Sequence, residues 1–376
     1  MKNFILKFAV FSCLFAVIFH VIGKSFIVID NVDLVNIDGF FCEKENTADI
    51  VLMGQSEIYR GFAPALAWKE YGIKSLDLSV GDSPCSQYIS MTKEIIKRQN
   101  PKLLVVNATA FLHGDDDLDN EILLRKWIDN MPVGANKLET IRDTVPADKN
   151  DNMLVSIGKY HENWKYPQKV LISLSLRSHL LVNRGGYLKG FYTRSQSTGG
   201  KQNLAKIGWP TEEKYVLTDR CKTYLNEFLQ YCVDNGVKQL LMLVPPHQTT
   251  ATDVSGIKAV RKIVSDFRYD FMDLHDNYSD IGIDDSTDFG DYEHLNVYGA
   301  EKMTAYLGQF FVDNYDVMSD STDEEVKYWN ECVEKTEDVV QMSKESMAIG
   351  KNHGYGEASI TAVASVFHFI RDNVWD

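Results

Sequence analysis

The chain is predicted to be an α/β protein, three layers deep around a central parallel sheet, and two observations carry that prediction. Apolar runs of strand length alternate with segments of helical period in both the first third and the second half of the chain. The first run, Ile50-Val51-Leu52-Met53, is continuously apolar and ends at Gly54, as the first strand of a parallel sheet usually does. Strand–helix alternation at this spacing implies right-handed crossovers, which lay helices on both faces of the sheet.

After a polar linker over Cys42–Ala48 and the strand at Ile50–Met53, the pattern predicts a helix over Ala63–Tyr71 and a strand over Ser75–Val80. A helix over Ser86–Gln99, with Ile89, Ile95 and Ile96 on one face, and a strand over Lys102–Val106 follow. Between about Asp115 and Pro210 the period is lost, through Tyr160-His161-Glu162-Asn163-Trp164 and Gly186-Tyr187-Leu188-Lys189-Gly190-Phe191-Tyr192. An irregular insert of that length is expected to be a functional lid or binding surface.

The sheet resumes with a helix over Asp219–Asn235, a strand over Gln239–Val244 closed by Pro245-Pro246, a helix over Val254–Phe267 and a strand near Asp270–Leu274. A helix over Val297–Val312 comes next, with Asn296 as its N-cap. The tail is acidic from Asp320, helical around Glu324–Ser343 and apolar again over Ile360–Ile370. Three regions result: an anchor over residues 1–25, an α/β domain over 45–316 with the insert at about 115–210, and a helical extension over 317–376.

The N-terminus reads as a targeting segment. Lys2 and Lys7 precede an uncharged run from Phe8 to Gly23, broken only by Ser12 and His20. The run is a little short of the roughly 20 residues of a spanning helix, but Ile5 and Leu6 extend it while Lys7 snorkels. No convincing A-x-A cleavage site follows, so an uncleaved anchor is expected. Basic residues before the run, with Asp30, Asp33 and Asp38 after it, place the rest of the chain outside the membrane.

At 376 residues, 44% of them hydrophobic, the chain can bury a full core, and a net charge of −14 argues against a nucleic-acid partner. The six cysteines (Cys13, Cys42, Cys85, Cys221, Cys232, Cys332) form no CxxC pair and no zinc-like cluster, so neither a structural metal nor another cofactor is expected. Cys13, followed by Leu14 and Phe15, lacks the small neighbours of a lipid-attachment site. Spacing leaves disulfide pairing open. The run Asp115-Asp116-Asp117-Leu118-Asp119 lacks the glycine and distal glutamate of a calcium loop and reads as a solvated charge cluster.

Two motifs carry chemistry. Gly54-Gln55-Ser56-Glu57 sits at a strand-to-helix turn, where a serine can stand exposed at the sheet edge with its N–H available to an oxyanion; taken alone, it reads rather as a cap of the next helix. Asp291-Tyr292-Glu293-His294-Leu295-Asn296 places an aspartate three residues before a histidine, so that Asp291 can take the Nδ1 proton and free Nε2 to deprotonate Ser56. Both motifs fall at the carboxyl edge of the predicted sheet, where sites assemble in open α/β folds. His113 and His247 follow strand-like segments without a visible partner.

These motifs, in this order, resemble the SGNH (GDSL-like) hydrolase superfamily, from about Asp49 to Val312 and more loosely to about Trp329. Within it the chain is most similar to N-terminally anchored extracytoplasmic proteins related to DltD and to alginate O-acetyltransferases. The residues concerned are Gln55-Ser56-Glu57-Ile58-Tyr59-Arg60-Gly61-Phe62, Asp129-Asn130-Met131, Asn136-Lys137-Leu138 and Tyr160-His161-x-x-Trp164. Gln55 stands where the superfamily more often has Asp or Ser, and Asn163 where relatives often carry Arg. The resemblance implies a flavodoxin-like sheet with Ser56 as nucleophile, His294 as base and Asp291 as its orienter. It also implies oxyanion donors at Ser56, Gly81 and Asn107, with a turn glycine and a loop cap as the plain alternatives for Gly81 and Asn107. Because aromatics stack on sugar faces, His161 and Trp164 could line a sugar subsite, or equally pack the insert against the core. The implied activity is acyl transfer to or ester hydrolysis of a cell-surface glycan, with a membrane-bound O-acyltransferase as partner. A fold-retaining, non-catalytic glycan-binding or assembly protein is the alternative.

Overall fold

Continuous apolar runs become strands in the middle of the sheet, where neither face meets water. In the computed structural model, which describes residues 2–27, 31–149, 153–154, 156–197, 216–248 and 255–361, β1 (Ile50–Gly54), β2 (Ser75–Ser79) and β3 (Leu103–Asn107) are buried at every position. With β5 (Leu240–Val244) and β6 (Asp270–Asp273) they form a five-stranded sheet in the order β2-β1-β3-β5-β6. Each neighbouring pair is parallel. Counted within the sheet this is the flavodoxin-like 2-1-3-4-5 order, whose direction reverses beside β1.

Side-chain alternation along the strands fills two cores. Val51, Met53, Leu78, Val106 and Met242 face one layer, with helices α2 (Asn31–Cys42), α5 (Tyr88–Arg98), Asp219–Asp234 and Ser255–Asp266. Ile50, Leu52, Val105 and Leu243 face the other, with α3 (Ser56–Gly61), α4 (Pro64–Tyr71) and Val297–Asn314. Helix α1 (Lys2–Phe26) precedes these layers and carries exposed apolar side chains from Phe4 to Ile22. It is long and apolar enough to cross a membrane.

The expected irregular insert is largely helical. It holds α6 (Asp115–Leu118), α7 (Glu121–Asn130), α8 (Ala135–Thr144), α9 (Ser156–Tyr160) and α10 (Pro167–Val182), whereas residues 198–215 lie outside the described part. The period was hidden for two reasons. The helices up to α9 span ten residues or fewer, too few turns for a pattern to repeat. Helix α10 has apolar side chains on opposite faces, so no polar stripe sets its period. The acidic run is partnered as well: Thr218 donates to Asp115 at 2.6 Å and Arg220 to Asp119 at 2.9 Å.

Nor is the C-terminal extension detached. Its helix Asp323–Ala348 lays Trp329 on Trp68 of α4, ring centroids 5.5 Å apart, and β7 (Gly354–Tyr355) pairs antiparallel with β4 (Thr193–Arg194). Most of the Ile360–Ile370 stretch lies outside the described residues. All six cysteines are free thiols.

Trp127 of α7 belongs to the main core: it is fully buried, donates its indole N–H to Ser90 Oγ at 2.9 Å and stacks on Phe41 at 5.8 Å. Replacing it with alanine is expected to destabilise the whole α/β unit by about 3–5 kcal/mol, as for a large aromatic deleted from a close-packed core. Chemical denaturation checks this. A separate, early transition for the insert with the main transition unmoved would contradict the shared core.

Candidate active site

The reversal of strand order beside β1 opens a crevice at the carboxyl edge, between the ends of β1 and β3. Gly54 ends β1 where no side chain fits. A Cβ there would lie 2.5 Å from Asn107 Cβ and 2.9 Å from Ile58 Cγ1, so its absence lets Asn107, at the end of β3, lie against β1. Gln55 then occupies the N-cap position of α3 with extended backbone and no side-chain cap bond, while its Nε2 donates to Ser83 O at 2.9 Å. Ser56 is therefore the first helical residue rather than the cap. Its hydroxyl lies 2.7 Å from His294 Nε2.

Asp291 and His294 sit on a loop closed by the Phe289–Leu295 bridge and by Gly290 N–H donating to His294 O at 2.9 Å. Asn296 pins the loop's end: its Oδ1 caps the following helix through Tyr298 and Gly299 N–H, and its Nδ2 donates to Thr287 O at 2.7 Å. Within the loop His294 Nδ1 is 2.7 Å from Asp291 Oδ1, which also accepts the backbone N–H groups of Glu293 and His294 at 3.0 Å. A carboxylate only accepts, so the neutral ring carries its proton on Nδ1, leaving the Nε2 lone pair to face the serine O–H.

The second oxygen of Asp291 accepts Arg60 Nη1 at 3.3 Å. Burial opposes ionisation of Asp291, but the hydrogen bond from His294, the charges of His294 and Arg60 and the Glu293 amide outweigh it and hold the carboxyl well below its usual range. Arg60 is itself buried, and its Nε and Nη2 have no hydrogen-bond partner among the described residues. Sequence reading gave Arg60 no role, although its position four residues after Ser56 on α3 puts both on one helix face.

The three groups expected as oxyanion donors differ in what they bind. Ser56 N–H is at the first position of α3, where no preceding helical carbonyl can accept it. Asn107 is fully buried, its Oδ1 accepts Thr109 N–H at 2.9 Å and Thr109 Oγ1 at 2.6 Å, and its Nδ2 has no partner among the described residues. Gly81 differs from expectation. Its N–H donates to Asp33 Oδ1 at 2.7 Å, and Lys126 Nζ ties the same turn through Gly81 O at 2.7 Å and Asp33 Oδ2 at 3.2 Å. Asp33 comes from α2, a helix not anticipated in the sequence, and it takes up the amide assigned to an oxyanion.

The expected subsite residues lie elsewhere. His161, exposed, has Nδ1 3.0 Å from Gly158 O, and Trp164, also exposed, adjoins Asn163, which donates to Phe26 O of α1 at 2.8 Å. Among the described residues, neither contacts Ser56 or His294. Both solitary histidines have partners: His113 Nδ1 is 3.5 Å from Asp117, and the His247 ring packs on His275, centroids 4.1 Å apart, with His275 in turn on Asp273 at 2.6 Å.

The surroundings of the Ser56–His294 pair are acidic. Glu57 follows the serine and Glu293 precedes the histidine, so the bond between the pair brings both carboxyls to one place. Burial, then the charge of Glu57, pushes Glu293 up to about 7. Comparison with protein-family models, with curated proteins and with solved structures gives no match.

Between the ordinary carboxyl range and about 7, folded Glu293 holds a proton that the unfolded chain has lost, so its contribution to stability falls as pH rises through that window. Glu293→Gln is therefore expected to raise the melting temperature at about pH 8 and to leave it near that of the parent at about pH 5. Thermal melts at the two pH values check this; an equal shift at both would show that charge is not the cause.

Proposed function

We propose that this chain is a membrane-anchored serine acyltransferase or esterase of SGNH type, acting on acyl esters of cell-surface polysaccharide. The observation that carries the reading is the continuous hydrogen-bonded line from Ser56 Oγ through His294 to Asp291, each link 2.7 Å, at the carboxyl edge of a parallel sheet. In this reading Ser56 Oγ attacks the ester carbonyl carbon as its proton passes to His294 Nε2. The imidazolium, held by Asp291, then protonates the departing alkoxide, leaving an acyl-serine. A sugar hydroxyl or water attacks next, gives its proton to His294 and releases the acyl group, and Ser56 recovers its proton.

The tetrahedral oxyanion is received by Ser56 N–H and by Asn107 Nδ2, a buried donor unpaired among the described residues, which costs about 1–3 kcal/mol and which an oxyanion would satisfy. With its amide held by Asp33, Gly81 takes no part. Arg60 fixes the orienting carboxylate from its far side and keeps it ionised. The substrate class and the transferase half of the proposal rest on the family resemblance and on α1, which suits a protein working at a cell surface.

The full chain in detergent is expected to hydrolyse a chromogenic acetyl ester, and Ser56→Ala to reduce the rate to background. Equal rates for parent and variant would leave the non-catalytic glycan-binding reading instead. A labelled acetyl donor offered with and without oligosaccharide separates transfer from hydrolysis: label found only in free acetate marks an esterase. Arg60→Met is expected to lower kcat by about 10- to 100-fold, short of the roughly 10⁴-fold cost of losing the aspartate's function in a serine triad, because Asp291 keeps its amide donors.

A further inference from the structure

Helix α10 has an outer face that water does not explain. Its inner side, Ile172, Leu176 and Leu180, packs with Leu34 and Val35 of α2. The opposite side presents Leu171, Leu174, Ser178, Leu181 and Val182, with Leu171, Leu181 and Val182 exposed by 65%, 71% and 77%. At about 100° per residue these five positions fall on one stripe, about 16 Å long and without a charge. A helix on a water-facing surface ordinarily turns charged side chains outward. Just before it stand Trp164, Lys165 and Tyr166, the aromatics exposed by 64% and 49%, and Lys169 in its first turn holds Nζ 5.3 Å from the Tyr166 ring centroid.

What covers this stripe is indicated by its neighbour. Helix α1 is exposed along its apolar length to Ile22 and enters the protein from Gly23 onward. There Asn163 Nδ2 donates to Phe26 O at 2.8 Å, Ser173 Oγ of α10 is 3.5 Å from Ile27 O, and Lys24 Nζ donates to Asn130 O at 2.6 Å. The residue before Trp164 and the middle of α10 thus touch the end of the one described helix able to span a membrane. That end is where a bilayer's headgroup layer has to lie. Tryptophan, tyrosine and lysine beside an apolar helical face form the composition of that layer.

We propose that α10 and the preceding turn, through Leu171, Leu174, Leu181, Val182, Trp164 and Tyr166, lie in the lipid interface of the membrane that α1 crosses, so that the α/β unit rests on the bilayer in one orientation. The proposal depends on α1 as a span and not on the chemistry at Ser56. It gives Trp164 a lipid contact in place of a sugar one.

Nitroxide labels at Leu171→Cys and Leu181→Cys, with Ile349→Cys as a remote exposed control, test it in the full chain reconstituted into vesicles of equal parts phosphatidylcholine and phosphatidylglycerol. Signal from native cysteines is subtracted using the parent chain. The ratio of oxygen to nickel-complex collision is expected to be on the order of tenfold higher at 171 and 181 than at 349, as for side chains below the headgroups. A ratio equal to that at 349 places the stripe in water and overturns the proposal. Labels screened from both reagents place a second copy or another protein there and overturn it too, as does loss of the chain from vesicles on alkaline extraction. Quenching by brominated lipid that falls on Trp164→Phe is the result expected without labels; unchanged quenching counts against it.

Discussion

The 2.7 Å bond between Ser56 and His294 joins residues 238 positions apart, and the surrounding structure is arranged to keep it short. On one side the serine is held by the turn out of β1, where Gly54 admits Asn107 and Gln55 takes the capping position. On the other the imidazole is held by a loop whose ends are fixed by a bridge and by the Asn296 cap. Asp291 connects the two sides, because it accepts from the histidine with one oxygen and from Arg60, one helical turn beyond the serine, with the other. Hydroxyl, imidazole, carboxylate and guanidinium therefore close a ring of contacts between α3 and the loop.

The same edge of the sheet is tied to the end of the apolar helix α1. Helix α2 leads from α1 across the sheet, donates from Asn36 to Ser79 O at 2.9 Å and carries Asp33 to the Gly81 amide. Lys126 of α7 joins that contact, and Lys24 of α1 binds carbonyls at the far end of α7. A short chain of buried polar contacts thus runs from the end of the apolar helix to the turn after β2. Buried polar groups of this kind fix position more than they stabilise, since each contact replaces one with water. Their effect is to set the crevice at a defined place relative to α1.

The acidic environment of the dyad follows from adjacency rather than from long-range design. Glu57 and Glu293 are the sequence neighbours of the bonded pair, so contact of the pair forces two carboxyls together, and burial makes Glu293 the one whose charge is suppressed. The crevice is accordingly ill suited to a strongly anionic group near the serine.

Strand positions, the Asn296 cap and the two chemical motifs were legible in the sequence because each is a local signal: an apolar run bounded by a turn, a short polar residue before a helix, an aspartate three residues ahead of a histidine. The helices of the insert were not, since α7 and α8 are short and α10 is apolar on two sides, and periodicity detects only contrast between faces. What the sequence by itself determined is the α/β alternation and the local Asp291–His294 pairing, both set by interactions within a few residues. Only the tertiary structure decided that Ser56 meets His294, that Arg60 backs Asp291, that Asp33 takes the Gly81 amide and that Trp164 stands beside α1. Those contacts join residues about 50 to 240 positions apart, and a separation of that size leaves no mark on local pattern.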